Sequence, residues 1–422
     1  MSQNDTSPSS RNNFITFTEV QKRIIHDTQA VDGSEQVAIR QALGRVLAKD
    51  IVATFNTPPC DNSGMDGYAF SSKELNDSMD EDSTLTLKIT GQSFAGHPYK
   101  GDIAPGEAIR IMTGAQVPDG VDTVVMQEHT QNPDADTVII TTVPKAFANV
   151  RKAGDDLTTG QTFLTKGKKI SPTDLAFLAT QGIAEVRVSR KLRVAFFSTG
   201  DELRSIGDTL GEGDIYDSNR YSLYGLLKNM DVEIIDMGVI PDDRDAVEAA
   251  FKSAADLADA VITSGGVSVG DADFVKETLE KLGQINFWKI SMKPGKPLAF
   301  GTLGKSLFFG LPGNPVAVIA TFYQFVQPAL KRMKGQEIVL PLVIKAKTSE
   351  LLKKHPGRTD FQRGILEQSD SGELTVRNAG MQASHVLTAM SKANCFIIIP
   401  AESGSIEVGE MVDVQPFEGL MS

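Results

Sequence analysis

The chain has 422 residues, 41% of them hydrophobic and 23% charged, and it carries a net charge of −12. This composition is typical of a soluble globular protein with about two to four domains. The acidic balance argues against general nucleic-acid binding, which needs a basic face. No apolar run is long and continuous enough to cross a bilayer, and the polar first residues lack the apolar core of a secretory signal. We therefore expect a cytoplasmic protein that neither binds nucleic acid nor spans a membrane.

Cysteine and histidine spacing excludes the common metal centres. Cys60 and Cys395 are the only two cysteines and lie far apart in the chain, which argues against a disulfide framework and a cysteine-based metal site. The five histidines never occur at the HxxxH or HxH spacing of zinc ligands. We expect neither kind of site.

The N-terminal part of the chain predicts a short tail followed by helices. We interpret residues 1–13 as a disordered tail. Thr18 precedes a run with apolar Val20, Ile24 and Ile25 at helical spacing, and IRQALGRVLAKDI predicts a second helix. The segment TPPCDNSGMDGYAF then predicts a loop because it combines Pro-Pro, glycine and polar residues.

Residues 55–148 predict an inserted β-rich domain. TLTLKITG alternates apolar and polar residues, and AIRIMTG, DTVVMQEH and DTVIITTV follow with turns between them. The chain then returns to a helical pattern, with Ser171-Pro172 beginning a helix that Gly182 ends. Residues 14–54 and 149–190 are therefore predicted to form one discontinuous helical or mixed domain.

Residues 191–336 predict a central α/β domain with a mostly parallel sheet. RVAFFSTGDE, VEIIDMGVIPDD and DAVITSGGVSVGDAD are apolar runs that each stop at a turn containing Asp or Glu, and a helical pattern follows each. INFWKI and SLFFGL predict further strands, and Asn314-Pro315 begins a helix that Pro328 should kink or end. Residues 337–422 predict a C-terminal β domain, so the fold class is α/β plus β, with several domains.

Three carboxylates, Glu202, Asp242 and Asp273, follow the three apolar runs. In a parallel sheet the carboxyl ends of the strands share one edge, and ligands bind there. Glycine-rich backbone and helix N-termini at that edge favour phosphate, and carboxylates beside phosphate favour a bridging Mg²⁺. Plain helix capping by these acidic residues is the alternative.

The glycine-rich segment 262–273, ITSGGVSVGDAD, adds candidate anion-binding positions at Gly265, Gly266 and Ser268. It is not a phosphate-binding loop of the GxxxxGK[ST] type. GTLGKS at 301–306 fails the same pattern because Ala299 occupies the position that requires glycine. A tight turn without a ligand remains the alternative.

Several polar segments are further candidates for binding an anionic, planar ligand. In KISMKPGKP, Lys289 and Lys293 share a face of an extended chain, with their Cα atoms about 13 Å apart. Their backbones therefore cannot both contact one oxygen, but their long side chains could converge on a pyrophosphate or a separate oxyanion. In IYDSN, the Tyr216 ring could stack on a flat ligand while Asp217, Ser218 and Asn219 bind its polar edge. A solvated basic strand end and a simple helix cap are the respective alternatives.

Five further residues in loops or near the ends of predicted elements are candidates. Arg358 or Arg363, with Ser384, could hold a tetrahedral oxyanion, although a surface ion pair is the simpler interpretation. Asp66 lies in the loop DNSGMDGYA, and Thr113 ends the strand IRIMTGA. A local turn and an ordinary strand end are the alternatives for these two.

Taken together and in order, these segments resemble the molybdopterin molybdenumtransferase family, which includes bacterial MoeA and the matching domain of gephyrin. The resemblance spans residues from about 14 to 417. The motifs that carry it are DNSGMDGYA, IRIMTGA, FSTGDEL, IYDSNR, ITSGGVSVGDAD, WKISMKPGKP, GLPGNPVA, TDFQRG and ASH.

The resemblance implies a function and a set of site residues. The family transfers molybdenum from molybdate to the dithiolene of adenylylated molybdopterin, and AMP leaves in a Mg²⁺-dependent step. It implies an α/β domain of the molybdopterin-binding type, a homodimer whose cleft is built from both subunits, and contact with the molybdopterin adenylyltransferase. By motif position, it implies roles for Asp66, Thr113, Glu202, Asp242, Asp273, Lys289, Lys293, Arg363 and Ser384.

These roles combine into one hypothesis. Lys289, Lys293 and Arg363 would neutralise molybdate and pyrophosphate, while the three carboxylates would hold Mg²⁺ against the pyrophosphate. Molybdate or a water beside it would open the anhydride. A non-catalytic carrier of the pterin nucleotide and a molybdopterin adenylyltransferase are the main alternatives, and a scaffold protein is a third.

Overall fold

The computed structural model describes residues 14–75, 83–265, 274–337 and 341–417. The predicted tail, as well as Gly266, Ser268 and Asp273, lies outside the described residues. The chain forms two compact units. The first unit contains the residues up to Glu35, Gly44–Val46 and those from Val188 onward, and the second contains Gln36–Leu43 and Leu47–Arg187. The predicted domain boundaries stay predictions.

The described helices are mostly short. They are α1 (Phe17–Asp27), α2 (Pro172–Thr180), α3 (Ser218–Asn229), α4 (Arg244–Leu257), α5 (Phe274–Leu282), α6 (Pro315–Thr321), α7 (Gln327–Met333) and α8 (Leu387–Lys392). Within the described ranges, no helix is both long and apolar enough to cross a membrane.

Strands make up most of the remaining regular structure. Those up to residue 189 are β1 (Phe14–Ile15), β2 (Ser34–Ala38), β3 (Ile51–Val52), β4 (Asn62–Ser63), β5 (Gly67–Phe70), β6 (Leu85–Ser93), β7 (Glu107–Ile111), β8 (Thr123–Met126), β9 (Thr130–Gln131), β10 (Thr137–Ile140), β11 (Val150–Arg151), β12 (Thr162–Leu164) and β13 (Glu185–Ser189). Those that follow are β14 (Arg193–Thr199), β15 (Leu203–Arg204), β16 (Ile215–Tyr216), β17 (Glu233–Ile240), β18 (Ala260–Ser264), β19 (Gly283–Ile290), β20 (Met292–Lys293), β21 (Pro297–Leu303), β22 (Ser306–Leu311), β23 (Ile344–Thr348), β24 (Thr359–Gln368), β25 (Leu374–Asn378), β26 (Cys395–Ile399) and β27 (Met411–Pro416).

The second unit is built around a six-stranded sheet in the order β8-β5-β7-β6-β10-β9. Its core includes the fully buried side chains of Phe70, Val125, Val138 and Ile140. The apolar and polar alternation of TLTLKITG corresponds to β6, so the predicted β-rich insertion is confirmed. Ser171 begins α2 as predicted: its hydroxyl accepts from Asp174 N–H, and the Asp174 carboxylate accepts from Ser171 N–H at 2.8 Å.

One predicted helix is wrong. The first helix forms as α1, with Val20 and Ile24 buried, but IRQALGRVLAKDI contains only a short 3₁₀ turn at Ile39–Gln41. Gly44 has a φ of +76° and interrupts any continuous helix through this segment. Ile39 N–H instead donates to Ala184 O at 3.0 Å, so a partner distant in sequence satisfies the backbone group that a helix would have used.

The central sheet of the first unit has the order β1-β19-β21-β22-β18-β14-β17. β14 lies between β17 and β18, and all three pairings from β17 to β22 are parallel. β21 pairs antiparallel with both β19 and β22 and was not predicted. The mostly parallel α/β domain is therefore confirmed, with an antiparallel strand inserted in its middle.

Helices cover both faces of this sheet, and successive residues of β14 show why. Phe196 packs into the cluster that contains Leu223 of α3, whereas Phe197 packs into the cluster with Phe251 of α4. Side chains of a strand alternate between its two faces, so a continuous apolar run suits a strand buried on both. Full burial of each such side chain contributes about 1.5–3 kcal/mol.

Pro328 does not end the helix that begins at Pro315. A π-helical turn, Phe322–Val326, separates α6 from α7, and Pro328 occupies the first turn of α7. A proline is tolerated in a first turn because no intrahelical partner is required there. The expected break is thus a local change of helical pitch.

The C-terminal strands close into a barrel. β24 pairs with β25 and also with β26, so the order β24-β25-β23-β27-β26 returns to β24. The five strands predicted after residue 336 all form. β20 pairs in parallel with β24, Lys293 opposite Asp360, which attaches the barrel to the α/β domain beside the carboxyl ends of the parallel strands.

Candidate functional site

A cavity of about 1080 Å³ lies at the edge where β14, β18 and β22 end. The parallel strands bring their following loops together there, as ligand sites of open α/β sheets require. The expected site residues that line this cavity are Glu202, Asp217, Ser218, Asp242, Gly265, Lys293 and Ser384.

Glu202 and Asp242 are acidic residues from adjacent strand ends. Asp242 N–H donates to the Asp201 carboxylate at 3.2 Å, which ties the turn after β17 to the turn after β14. Although Asp242 as a residue is exposed, partial burial of its carboxyl raises its pKa, and the nearby charges of Asp201 and Glu202 raise that pKa further. A cation between these carboxylates would relieve their repulsion.

These donors fit Mg²⁺, which prefers carboxylate oxygens and keeps several waters. Glu202 and Asp242 would hold it. In the part of the chain that the structure describes, no group of three or more His, Cys, Asp or Glu side chains is arranged around a single point. The expected third ligand, Asp273, lies outside those residues, so the proposed set of three carboxylates remains a prediction.

Gly265 ends β18 in a backbone conformation that excludes other residues. Its φ is +91°, and a Cβ atom there would lie 2.6 Å from Thr199 O. Only glycine lets the end of β18 approach the end of β14 so closely. The described beginning of the glycine-rich segment is thus adapted to close backbone approach at the cavity.

The opposite part of the cavity is cationic. Lys293, Lys296 and Arg358 line it and are exposed. Lys293 Nζ lies 3.5 Å from the carboxylate of Asp360, a residue that is only 2% exposed. Lys296 Nζ lies 5.3 Å from the centre of the Phe14 ring. These contacts hold two ammonium groups at the rim while leaving them accessible to an anion.

The sheet order separates the two charged ends. From β17, which precedes Asp242, to β21, which follows Lys296, the order is β17-β14-β18-β22-β21. Four strand spacings of about 4.8 Å span roughly 19 Å. The strand ends beside Asp242 and Lys296 are therefore four strands apart along the edge that forms the cavity.

Arg363 is fully buried and is not a lining residue, but it binds the backbone of the loop that leads to Ser384. Its Nη2 donates to the carbonyl oxygens of Met381 and Ala383, at 3.2 and 3.1 Å. Burial lowers the pKa of its guanidinium to about 10, against the opposing influence of Asp360. Ser384, at the end of this loop, lines the cavity, and its carbonyl accepts from Val316 N–H at the start of α6.

Lys289, Asp66 and Thr113 are not among the residues that line the cavity. Lys289 is exposed on β19, where it pairs with Pro297, and it is not a lining residue. In the second unit, Thr113 N–H and Oγ1 both donate to Asp66 Oδ1 at 2.7 Å. Both bonds lower the pKa of Asp66, and the bond from the backbone N–H has the larger effect. Roles for all three residues remain predictions.

The fold also brings Asn219, Lys296, Arg358 and Gln382 to the cavity. Of these, the sequence offered Arg358 as an alternative to Arg363 and did not identify Gln382. Asn219 follows Asp217 at the start of α3, and its Nδ2 donates to Ser264 Oγ at 2.8 Å and to Gly313 O at 2.7 Å. It thereby links the ends of β18 and β22. The polar run IYDSN was the only sequence signal for it.

Family models match nearly the whole chain. The MoeA N-terminal region (domains I and II) matches residues 15–182, a probable molybdopterin-binding domain matches 195–332, and the MoeA C-terminal region (domain IV) matches 345–417.

Individual proteins agree with these matches. A molybdopterin molybdenumtransferase of Haemophilus influenzae is 43% identical over 97% of this chain and 100% of its own length. One from Nostoc sp. is 36% identical over 92% of this chain and 88% of its own length. The crystal structure of a molybdopterin biosynthesis MoeA protein from Pyrococcus horikoshii superposes with a TM-score of 0.84 at 28% identity, covering 96% of this chain and 100% of that one.

Proposed function

The chain belongs to the molybdopterin molybdenumtransferase (MoeA) family, and on that premise we propose that it inserts molybdenum from molybdate into the dithiolene of adenylylated molybdopterin, releasing AMP. It is a transferase of molybdenum cofactor biosynthesis. The observation that carries the proposal is one cavity lined both by the carboxylates Glu202 and Asp242 and by the cationic side chains Lys293, Lys296 and Arg358.

The charge distribution suits the two substrates. Molybdate is a tetrahedral dianion, and Lys293, Lys296 and Arg358 supply positive charge for it despite the net charge of −12 of the chain. Ser384 lines the same cavity and offers a hydroxyl donor. A pterin nucleotide carries a pyrophosphate, which is also anionic. It can bind beside the carboxylates of Glu202 and Asp242 only with a divalent cation between the pyrophosphate and these carboxylates.

Glu202 and Asp242 would hold Mg²⁺. When bound, the ion would neutralise pyrophosphate oxygens and stabilise the charge on the departing phosphate. Glu202 and Asp242 would orient the pyrophosphate through it, while the Gly265 backbone allows close approach of the substrate. The thiolates that receive molybdenum belong to the pterin, so neither cysteine of the chain is required.

The test is a reconstituted reaction with adenylylated molybdopterin, Mg²⁺ and molybdate, measuring AMP release and molybdenum incorporation. We expect Asp242→Asn and Glu202→Gln to lose the Mg²⁺-dependent release of AMP. Lys293→Gln should raise the molybdate concentration needed for half-maximal rate. Lys305→Gln is the matched control, because Lys305 is an exposed lysine in the β21–β22 turn at the other edge of the sheet.

The same reaction separates the alternatives. Retention of intact adenylylated pterin without AMP release would indicate a carrier. ATP consumption that depends on free molybdopterin would indicate an adenylyltransferase. Molybdate dependence that is unchanged in Lys293→Gln would remove the assigned role of that lysine.

We also propose a cytoplasmic homodimer whose cleft is built from both subunits and that receives its pterin by contact with the molybdopterin adenylyltransferase. The family resemblance implies such a dimer. It also implies a role for Asp66, which is not among the residues that line the cavity. Mixing inactive Asp66→Asn and Asp242→Asn subunits tests it: activity should return only if one subunit supplies Asp66 and its partner Asp242. Mixtures that stay inactive while forming dimers would contradict a shared cleft.

A further inference from the structure

A buried carboxylate, that of Asp360, lies beside the ammonium group of Lys293. The Asp360 side chain is 3% exposed, and its Oδ2 lies 3.5 Å from Lys293 Nζ, whose side chain is 46% exposed. The parallel pairing of β20 with β24 places the two residues opposite each other. Burying a carboxylate is costly unless its charge is paired, so the groups around Asp360 have to account for its position.

Asp360 is held in place through both its backbone and its side chain. Its strand, β24, pairs with β20 along one edge and with β26 along the other, where Asp360 lies opposite Ile399. The Gln362 Nε2 donates to Asp360 Oδ2 at 3.1 Å and to Lys353 O at 3.0 Å. A carboxylate fixed in this way is a rigid partner for a lysine, whose long side chain is otherwise free to change rotamer.

A second lysine, Lys354, acts on the same carboxylate and is itself buried. Its Nζ donates to the carbonyl oxygens of Ser403, Ala401 and His355, at 2.7, 3.3 and 3.4 Å. Burial lowers the pKa of the Lys354 ammonium, and the charge of Asp360 opposes that lowering. Lys354 thus contributes positive charge near Asp360 while backbone carbonyls accept from its N–H groups.

The charges of this cluster do not cancel. Burial also lowers the pKa of the Arg363 guanidinium, and Asp360 opposes that effect as well. Lys293, Lys354 and Arg363 therefore share one buried carboxylate, and even with the exposed Glu402, which also acts on Lys354, the cations outnumber the carboxylates. Of the three cations, only Lys293 lines the cavity. Pairing with Asp360 can hold this lysine without removing the attraction of the region for an anion.

We propose that Asp360 is a positioning residue for the oxyanion substrate: its buried carboxylate holds the Lys293 ammonium where that group contacts molybdate. This rests on the proposed function and adds a residue that does not itself line the cavity. A carboxylate that only weakened the charge of Lys293 would have the opposite effect on binding. Its removal would then strengthen binding of an anion, whereas removal of a positioning group weakens it although the net positive charge rises.

The test measures molybdate binding to the full-length protein by calorimetry and the molybdate dependence of AMP release. Asp360→Asn and Asp360→Ser both retain an oxygen that can accept from Gln362, so the fold should persist. Both remove the charge that holds Lys293. We expect each variant to bind molybdate about tenfold more weakly, but to change binding by less than about twofold when Lys293→Gln is also present, because the effects of coupled residues are not additive.

Asp413→Asn is the matched control. Asp413 and Lys345 form another cross-strand pair of the same barrel, between β27 and β23, with 2.7 Å between the ammonium and the carboxylate. Neither residue lines the cavity. Asp413→Asn should therefore leave molybdate binding unchanged, with or without Lys293→Gln.

The outcomes separate this proposal from the proposed function. Unchanged or stronger molybdate binding by both Asp360 variants would overturn the positioning role. An equal loss with and without Lys293 would also overturn it, because the effect would then not act through that lysine, and so would a lack of molybdate binding by the unaltered protein. Absence of AMP release by the unaltered protein would instead contradict the proposed function, while the binding measurements still decide the role of Asp360.

Discussion

Gln382 holds the backbone of Arg363 through two hydrogen bonds. Its Oε1 accepts from Arg363 N–H at 2.8 Å, and its Nε2 donates to Arg363 O at 3.0 Å. The same Nε2 donates to Gly380 O at 2.9 Å. Since the Arg363 side chain holds the carbonyls of Met381 and Ala383 in turn, the two residues together fix the loop that presents Ser384 to the cavity.

We expect Gln382→Leu to loosen this loop. The change leaves the buried Arg363 N–H without its acceptor, which should lower the free energy of unfolding by about 1–3 kcal/mol. It should also raise the KM for molybdate, because Ser384 loses its support. Urea denaturation and steady-state kinetics measure the two effects.

Gln368→Leu is the matched control for that change. Gln368 lies on the same strand, β24, but is exposed, and its Nε2 donates to Gly372 O in the adjoining turn. A KM that is equal in the two variants would contradict the supporting role of Gln382.

Asp242→Asn should stabilise the protein at neutral pH when Mg²⁺ is absent. A carboxyl whose pKa is raised above its ordinary value of 3.8 is ionised in the folded state at a free-energy cost. That cost is absent below the pKa of the unfolded chain and complete above the pKa of the folded protein. The Tm gain should therefore appear at pH 7 and vanish near pH 3.

Mg²⁺ should raise the Tm of the unaltered protein and have less effect on Asp242→Asn, since binding to the folded state stabilises it. Asp243→Asn is the control. Asp243 caps α4 by accepting from Ala246 N–H at 2.9 Å, a role that asparagine fills equally well. Equal Mg²⁺ responses in the three proteins would exclude Asp242 as a ligand.

Thr113→Val should raise the pKa of Asp66. Both the N–H and the hydroxyl of Thr113 donate to the ionised carboxylate and lower its pKa, and valine retains only the N–H. Because the pKa of Asp66 is lower in the folded protein, its ionisation stabilises the fold at pH values above the pKa of the unfolded chain. This stabilisation is lost as the pH falls through the pKa of the folded protein. Carbon-13 NMR titration of Asp66 measures the shift, and Thr113→Ser should leave it unchanged.

Cys395 should resist thiol reagents that modify Cys60. Burial raises the pKa of the Cys395 thiol to about 12, and the residue is fully buried, whereas Cys60 is partly exposed. Only the thiolate is nucleophilic. A disulfide reagent at pH 8 should therefore label the native protein only at Cys60, and both residues after unfolding. Rapid labelling of native Cys60→Ser would contradict this.

Local sequence patterns predicted many of the strands and helices of the fold. The apolar runs before Glu202 and Asp242 predicted buried parallel strands, and the strands of both β-rich regions were found from alternation and turn residues. Ser171-Pro172 predicted the start of α2. These signals are local, because period-two alternation, helix caps and glycine turns act within a few residues.

The sequence by itself thus determined the classes of the elements, the family, and the acidic residues at the strand ends. Only the tertiary structure decided which cations share their cavity. Lys293 lines it because β20 pairs with β24, 67 residues further along the chain, whereas Lys289 lies on β19 and is not a lining residue. Arg363 is buried behind the loop at Ser384 for the same reason. Pairing between distant strands depends on packing of the whole chain, which no local periodicity encodes.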